Sequence, residues 1–371
     1  MKLLAISFVG LVCGSLGFVA RAESCAGPKL VCEAVTRVFA ISSEVPLASA
    51  VFIDANLLVT NRHAVADREE ATVFLPGGGH KKAKILPTSY LGDLILLKIQ
   101  GSDDLKALDY SAEFSVSSEV YTVAADLGRK SKIRVYKAGK ILSMPPPGKP
   151  LARIHHTAES FPGNSGGALV DSFGRLVGIV TSGGDGYFEA IPVTQISSLI
   201  ENSGRRHENI SKRLGSAYRQ CRKAIFQANN SSKAMEKKHI DFITNRCLAT
   251  SNKQLLDLAG QALGSRRHFA SAIDLFDLAI QQDPLSINSR LGMVVTLHLA
   301  GRYKAEFPHL QHLLKVIPNN LQVLRFAIQA GTWGENMELR KSGLKLLKRH
   351  FPKMAPLAEK ISTSPPPLRQ N

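Results

Sequence analysis

The sequence predicts a multidomain chain, an all-β half followed by an all-α half, and three observations carry that expectation. Up to about residue 204, short valine-rich runs bounded by glycine alternate apolar and polar residues, as half-buried strands require. Past that point leucine, alanine, lysine and arginine recur at helical spacing. Within the second half Pro284, Pro318 and Pro352 stand 34 residues apart, each after a helix-period apolar pattern, which marks an internal repeat.

The first residues, MKLLAISFVGLVCGSLGFVARA, combine one early Lys, an apolar run and a small-x-small ending at Ala20-Arg21-Ala22. Residues 1–22 therefore read as a secretory signal cleaved before Glu23. Val12, standing before Cys13 where a small residue would be needed, argues against a lipoprotein. No later stretch is apolar for long enough to span a bilayer, so the expected location is periplasmic or secreted. With Cys13 removed, Cys25, Cys32, Cys221 and Cys247 remain, an even number that suits an oxidising compartment. Four cysteines allow three connectivities. The local pairs Cys25–Cys32 and Cys221–Cys247 need the least rearrangement, and the first would close a loop worth about 2.5 kcal/mol. Zinc is set aside because there is no CxxC, no HExxH and no His suitably spaced from these cysteines, so no metal or organic cofactor is expected.

Residues 23–204 supply three chemically coherent pieces. AVFIDANLLVT reads as a hairpin that delivers His63, in TNRHAV, at a strand end. Asp93 precedes the apolar run LILLKI, which would bury its carboxylate. Ser165 lies in a PGNSGG turn, where glycines let the N–H groups of Gly163 and Ser165 converge on one point. A serine hydroxyl is a weak nucleophile until an imidazole takes its proton, and a buried carboxylate must hold that imidazole in the right tautomer. Singly each piece is ordinary; together they point to a His-Asp-Ser triad.

The stretch from about residue 48 to 193 resembles the chymotrypsin-fold serine peptidases and, within them, the HtrA/Deg-like trypsin group. AVFIDANLLVTNRHAV, GDLILLKI, AGKILS, PGNSGGALVDSFGRLVGIV and FEAIPV carry the resemblance. It implies two packed antiparallel β-barrels, His63 and Asp93 coming from the first and Ser165 from the second, with the site between them. An HtrA-type PDZ domain is absent, and MPPPGKP replaces a long regulatory loop. In chymotrypsin-fold enzymes the residue six before the nucleophile, here Glu159, sits at the base of the P1 pocket. A buried carboxylate there would favour a basic P1 residue, whereas the HtrA-like branch implies an aliphatic pocket. Phe161, Val180 and Ser182 are candidate walls in either case, and both preferences stand.

The second half divides into a basic helical pair over residues 205–252, three repeats over 253–354 and a flexible tail over 355–371. Leu256, Ala259, Gly260, Ala272, Phe276, Ala279 and Pro284 match the large, small, aromatic and proline positions of a tetratricopeptide (TPR) unit. The second unit keeps Met293, Leu297, Gly301, Tyr303, Leu310, Leu313 and Pro318, but has Glu306 at a small-residue site. The third is looser, with Trp333 expected in its inter-helix turn. This half carries 27 Lys and Arg against 11 Asp and Glu, nearly all of the +17 net charge. Such a field attracts acidic proteins or anionic envelope surfaces, although a solvated helix exterior would give the same count. Nucleic acid is disfavoured by export and by the lack of interleaved aromatics. The sequence thus reads as an exported serine endopeptidase with a basic TPR-like docking platform. The alternative is an idle protease-fold adaptor acting through its repeats.

Overall fold

The computed structural model describes residues 25, 27–101, 106–111, 113–230 and 235–366; the expected signal, residues 1–22, lies outside them. A short helix α1 (Lys29–Glu33) leads into β1 (Val38–Ser42), β2 (Ala48–Asp54) and β3 (Leu57–Thr60). One helical turn, α2 (Arg62–Val65), precedes β4 (Glu70–Phe74), β5 (His80–Leu86) and β6 (Ile95–Lys98). These six strands close into an antiparallel barrel in the order β1-β2-β3-β6-β5-β4. The second barrel uses β7 (Glu119–Asp126), β8 (Arg129–Val135), β9 (Gly139–Ser143), β10 (Ile154–His156), β11 (Ala168–Asp171), β12 (Leu176–Gly184) and β13 (Tyr187–Pro192). Its ring runs β11-β12-β13-β10-β9-β7 and is closed by β7 pairing β11, with β8 attached outside as a hairpin on β7. The expected double β-barrel is therefore present.

Alternation explains which strands are buried on both faces. On β2, Ala48, Ala50 and Phe52 fill the first barrel, while Val51 and Ile53 point the other way. That second row packs with Val123, Val170 and Ile179 between the two barrels, so β2 is buried on both faces, Ser49 included, and only Asp54 is exposed. On β5 the outer face meets solvent, and Lys82 and Lys84 alternate with buried Ala83 and Ile85.

After α3 (Gln195–Glu201) the chain is helical: α4 (Glu208–Asn230), α5 (Lys237–Leu248), α6 (Lys253–Ser265), α7 (Phe269–Gln282), α8 (Ile287–Ala300), α9 (Phe307–Val316), α10 (Leu321–Trp333), α11 (Met337–His350) and α12 (Ala355–Ile361). α6, α8, α10 and α12 start 34 residues apart, so the proline spacing is a structural period. The same period recurs in the N-caps: Asn252, Ser286 and Asn320 each accept a backbone N–H three residues on, from Leu255, Ser289 and Val323. Each cap satisfies an otherwise orphaned donor and contributes about 1 kcal/mol. Phe276 of α7 fills the space left by Gly260 on α6 and Gly292 on α8, where an added Cβ would lie 2.9 Å and 2.4 Å from its ring. Disulfides join Cys25 to Cys32 and Cys221 to Cys247, the latter tying α4 to α5.

Two expectations need correction. The segment from 355, read as a flexible tail, is helical over Ala355–Ile361 and packs on α11, and Trp333 Nε1 donates to the Ser364 carbonyl at 2.9 Å. Trp333 is the last residue of α10, and Gly334 follows it as the C-cap. Glu306 is fully buried because its carboxylate takes His298 Nδ1 at 3.1 Å, a partner that a small residue would not need.

The helices are fastened to the barrels. Gly215 of α4 rests against the backbone after α2: a Cβ there would lie 2.3 Å from the Ala66 carbonyl oxygen. Beside it Arg219 grips Asp67 through two nitrogens. Gly215→Ala should push α4 off the first barrel and cost about 2 kcal/mol, read as a lower midpoint in thermal melts. An unchanged midpoint would contradict the close approach.

A second prediction concerns pH. His309 Nδ1 accepts from Arg290 Nη1 at 3.2 Å; burial, then the charges of Arg290 and His312, push this imidazole down to about 4. The unfolded chain takes up that proton near about 6.5, so acidification between about 6.5 and about 4 favours unfolding, and stability is lost as pH falls across that window. His309→Gln should gain on the wild type progressively as melts are moved from pH 7 to pH 4. A difference that stays constant over that range would contradict the assignment.

Candidate active site

The register of β3 on β6 sets Thr60 opposite Ile95, which brings the turn after β3 against the residues before β6. Asp93 lies there, 1% exposed. Its Oδ1 accepts the His63 backbone N–H at 3.0 Å, and its Oδ2 accepts from His63 Nδ1 at 2.6 Å and from Thr181 Oγ1 at 3.0 Å. Asn61 Nδ2 donates to the Asp93 carbonyl at 2.9 Å and fixes the loop itself. Burial alone would push the Asp93 carboxyl up, but His63, through charge and hydrogen bonds, and Arg153 hold it below its ordinary value. With Nδ1–H committed to Asp93, Nε2 is the imidazole atom left to accept a proton.

Ser165 comes from the turn that precedes β11. Asn164, 1% exposed, holds that turn: its Oδ1 accepts the Phe161 N–H at 2.7 Å, and its Nδ2 donates to the Ala125 carbonyl and to Tyr136 Oη. Gly166 has φ +85°, and a Cβ there would lie 2.1 Å from the Ser49 carbonyl oxygen, so no larger residue fits. Ser49 also ties the turn to the first barrel: its N–H donates to the Ser165 carbonyl at 2.8 Å and its Oγ to the Gly163 carbonyl at 3.0 Å. Among the described residues, the N–H groups of Gly163 and Ser165 meet no acceptor, which leaves both available to an oxyanion. The Ser165 hydroxyl donates to the Thr181 carbonyl at 3.0 Å.

His63, Gly163 and Ser165 line one open cleft of about 470 Å³. Of the four candidate pocket residues, Phe161 and Val180 line it too. Glu159 is half-buried and is not among the described residues that line the cleft; its N–H is spent on the Lys137 carbonyl. Ser182 is known by its backbone register, opposite Glu189 on β13. Several lining residues were missed in the sequence. Leu47, Leu127 and Phe188 add apolar walls, while Arg222 of α4 and Gln254 and Leu258 of α6 bring the helical half to the cleft rim. Arg222 Nη1 also donates to the His63 carbonyl at 3.2 Å. Nothing in the local sequence of these helices marks them as active-site residues. Beside the dyad Arg62 is 1% exposed, its Nη2 on the Thr88 carbonyl, and burial pushes its guanidinium below the ordinary arginine value. No group of three or more His, Cys, Asp or Glu side chains suited to a metal occurs among the described residues.

Known proteins resemble the first half of the chain. Residues 48–179 match the trypsin-like peptidase domain. Serine protease HTRA2, mitochondrial, of Bos taurus is 30% identical over 179 residues, covering 44% of this chain and 38% of that protein. The probable periplasmic serine endoprotease DegP-like of Pseudomonas fluorescens is 29% identical over 170 residues, covering 43% and 36%. Serine endoprotease DegS of Escherichia coli is 30% identical over 145 residues, covering 36% and 39%. Among solved structures, the Rv3671c protease in its inactive form aligns over 49% of this chain and all of that one, at 19% identity and TM-score 0.42. The chain spans about two-fifths of the length of the curated relatives it matches. Its N-terminal half carries a trypsin-like peptidase domain, similar at about 30% identity to the HtrA and Deg serine proteases.

Proposed function

We propose that the chain is an exported serine endopeptidase in which His63, Asp93 and Ser165 form the triad. The observation that carries this reading is the His63 Nδ1 to Asp93 Oδ2 hydrogen bond of 2.6 Å, at the edge of a cleft that also contains Ser165. Ser165 attacks a peptide carbonyl while His63 Nε2 takes its proton; the Gly163 and Ser165 amides hold the oxyanion; His63 then returns the proton to the departing amine. Water resolves the acyl-enzyme by the same route. No metal or organic cofactor is needed for these steps. Phe161, Val180, Phe188 and Leu258 give the cleft apolar walls, and with Glu159 off its lining the pocket suits a small or aliphatic P1 residue.

Periplasmic relatives, two disulfides and the apolar leader over residues 1–22 support an exported location. The repeats over 253–354, read as TPR-like, would hold a partner. Lys341, Lys345, Lys348 and Arg349 stand exposed on α11, and such a surface suits an acidic protein or an anionic envelope polymer better than nucleic acid.

A second reading has an observation of its own. The Ser165 hydroxyl is hydrogen-bonded to Thr181 and has to leave it to meet the imidazole. If it does not, the chain is an adaptor with an idle protease fold.

A fluorophosphonate probe separates the two. Folded wild type should label at Ser165, and Ser165→Ala should not; unlabelled wild type would favour the adaptor. Asp93→Asn should keep the fold but lower turnover by about 10⁴-fold, because the imidazole tautomer is mis-set. Near wild-type turnover would remove Asp93 from the triad. If docking is electrostatic, raising salt from about 50 to about 300 mM should weaken capture of an acidic protein substrate several-fold and leave small-ester turnover unchanged. Equal losses on both substrates would contradict docking.

A further inference from the structure

The buried polar chain does not stop at Asp93. Thr181 commits its hydroxyl proton to Asp93 Oδ2, so its oxygen is free to accept, and it takes Arg153 Nη1 at 3.2 Å. Arg153 Nη1 lies 3.5 Å from Oε2 of Glu189, which is fully buried on β13. The other Glu189 oxygen, Oε1, accepts from Lys253 Nζ at 2.7 Å and from Asn288 Nδ2 at 3.1 Å. Lys253 opens α6 and is 2% exposed; it also holds Asp257 Oδ2 at 2.9 Å. Five side chains thus link the imidazole to the first repeat, with every donor direction fixed: Lys253 and Arg153 donate to Glu189, Arg153 to Thr181, Thr181 to Asp93.

Removing the Lys253 charge would leave Glu189 buried and short of a cation. His155 also faces Glu189, its Nδ1 3.9 Å from Oε1, but its Nε2 is held by Asp283 at 2.9 Å, so Arg153 is the group drawn fully onto Glu189, away from Thr181. Thr181 would lose the donor that fixes its rotamer, and Asp93 the steady contact that orients it. We propose that Lys253 is a positioning residue for the His63–Asp93 pair: by taking up one Glu189 oxygen it leaves Arg153 on Thr181, and so the helical half sets the geometry of the dyad. This rests on reading His63 as the base and Asp93 as its orienting carboxylate. The charged and titratable groups facing the dyad are Arg62, which touches Thr88, Arg222, which touches the His63 carbonyl, and Arg153, Tyr90 and Tyr218, whose fields reach Asp93. Of these, Arg153 is the one the relay connects to Lys253.

The test uses the full chain and compares Lys253→Met, Lys253→Arg and Arg219→Ala. Arg219→Ala breaks the exposed bridge to Asp67 and loosens the same junction without touching the relay. The readouts are the downfield proton resonance of His63 Nδ1–H, the NMR titration of His63, and kcat and KM for a small activated ester. Lys253→Met should move the resonance and the titration midpoint and lower kcat about ten-fold with KM nearly unchanged. Lys253→Arg should recover at least about half of kcat, since its guanidinium still pairs with Glu189. Arg219→Ala should lower the melting midpoint and leave the resonance in place. Should Lys253→Met not fold, Lys253→Gln, which keeps a donor and loses the charge, replaces it. A folded Lys253 variant with the wild-type resonance and kcat would overturn the proposal, as would an equal change in Arg219→Ala. Wild type that neither turns over nor labels would sink the endopeptidase reading, and the resonance comparison would still decide the role of Lys253.

Discussion

Glu189 is the carboxylate on which the two halves of the molecule meet. Moving it out of water costs several kcal/mol, and burial alone would push its carboxyl up. Lys253, Arg153 and His155 reverse that and hold it well below the usual carboxylate range. Lys253 comes from a helix, and Arg153 and His155 from the second barrel, so the Glu189 charge is balanced only while β13 and α6 stay together. His155 extends the same arrangement, its Nε2 meeting Asp283 at the end of α7 at 2.9 Å. A surface salt bridge such as Lys212–Glu208 could be lost with little effect; this buried cluster could not.

That constraint changes what the second half is for. Stacked helices could have been an independent module on a linker, able to leave catalysis to the barrels. Instead Arg222, Gln254 and Leu258 form one rim of the cleft, Gly215 brings α4 into contact with the backbone after α2, and Tyr218 is fully buried beside it. The site is built at a three-way junction of two barrels and a helical array. With Lys253 positioning the dyad as proposed, chemistry confined to the barrels takes its geometry from all three.

The fold was legible where one physical rule dominates. Alternation marked the strands, the proline spacing marked the repeats, and the small residues at Gly260, Ala272 and Ala279 marked the helix contacts. His63, Asp93 and the PGNSGG turn were legible because each needs a local setting that the neighbouring residues encode. The rim residues were not, since Arg222 and Leu258 look like ordinary helix-surface positions until tertiary packing turns them to the cleft. Glu159 misled for the opposite reason: its sequence offset suggested the pocket floor, but its backbone is tied to Lys137 and its side chain lies off the lining. The start of the tail misled because the third repeat reads as ending at residue 354, whereas Ala355–Ile361 continues the 34-residue period and Trp333 holds the Ser364 carbonyl. Glu189 and Lys253, 64 residues apart, carry no mutual signal in one sequence.

Native-state hydrogen exchange tests most directly whether the barrels and the first repeat are one cooperative unit. Amides of β13 and of α6 should exchange with the same opening free energy and the same denaturant dependence, because neither can open without stranding a buried charge. If α6 to α8 exchange through a cheaper opening while β13 stays protected, the helices are a detachable module and the account of the junction is wrong.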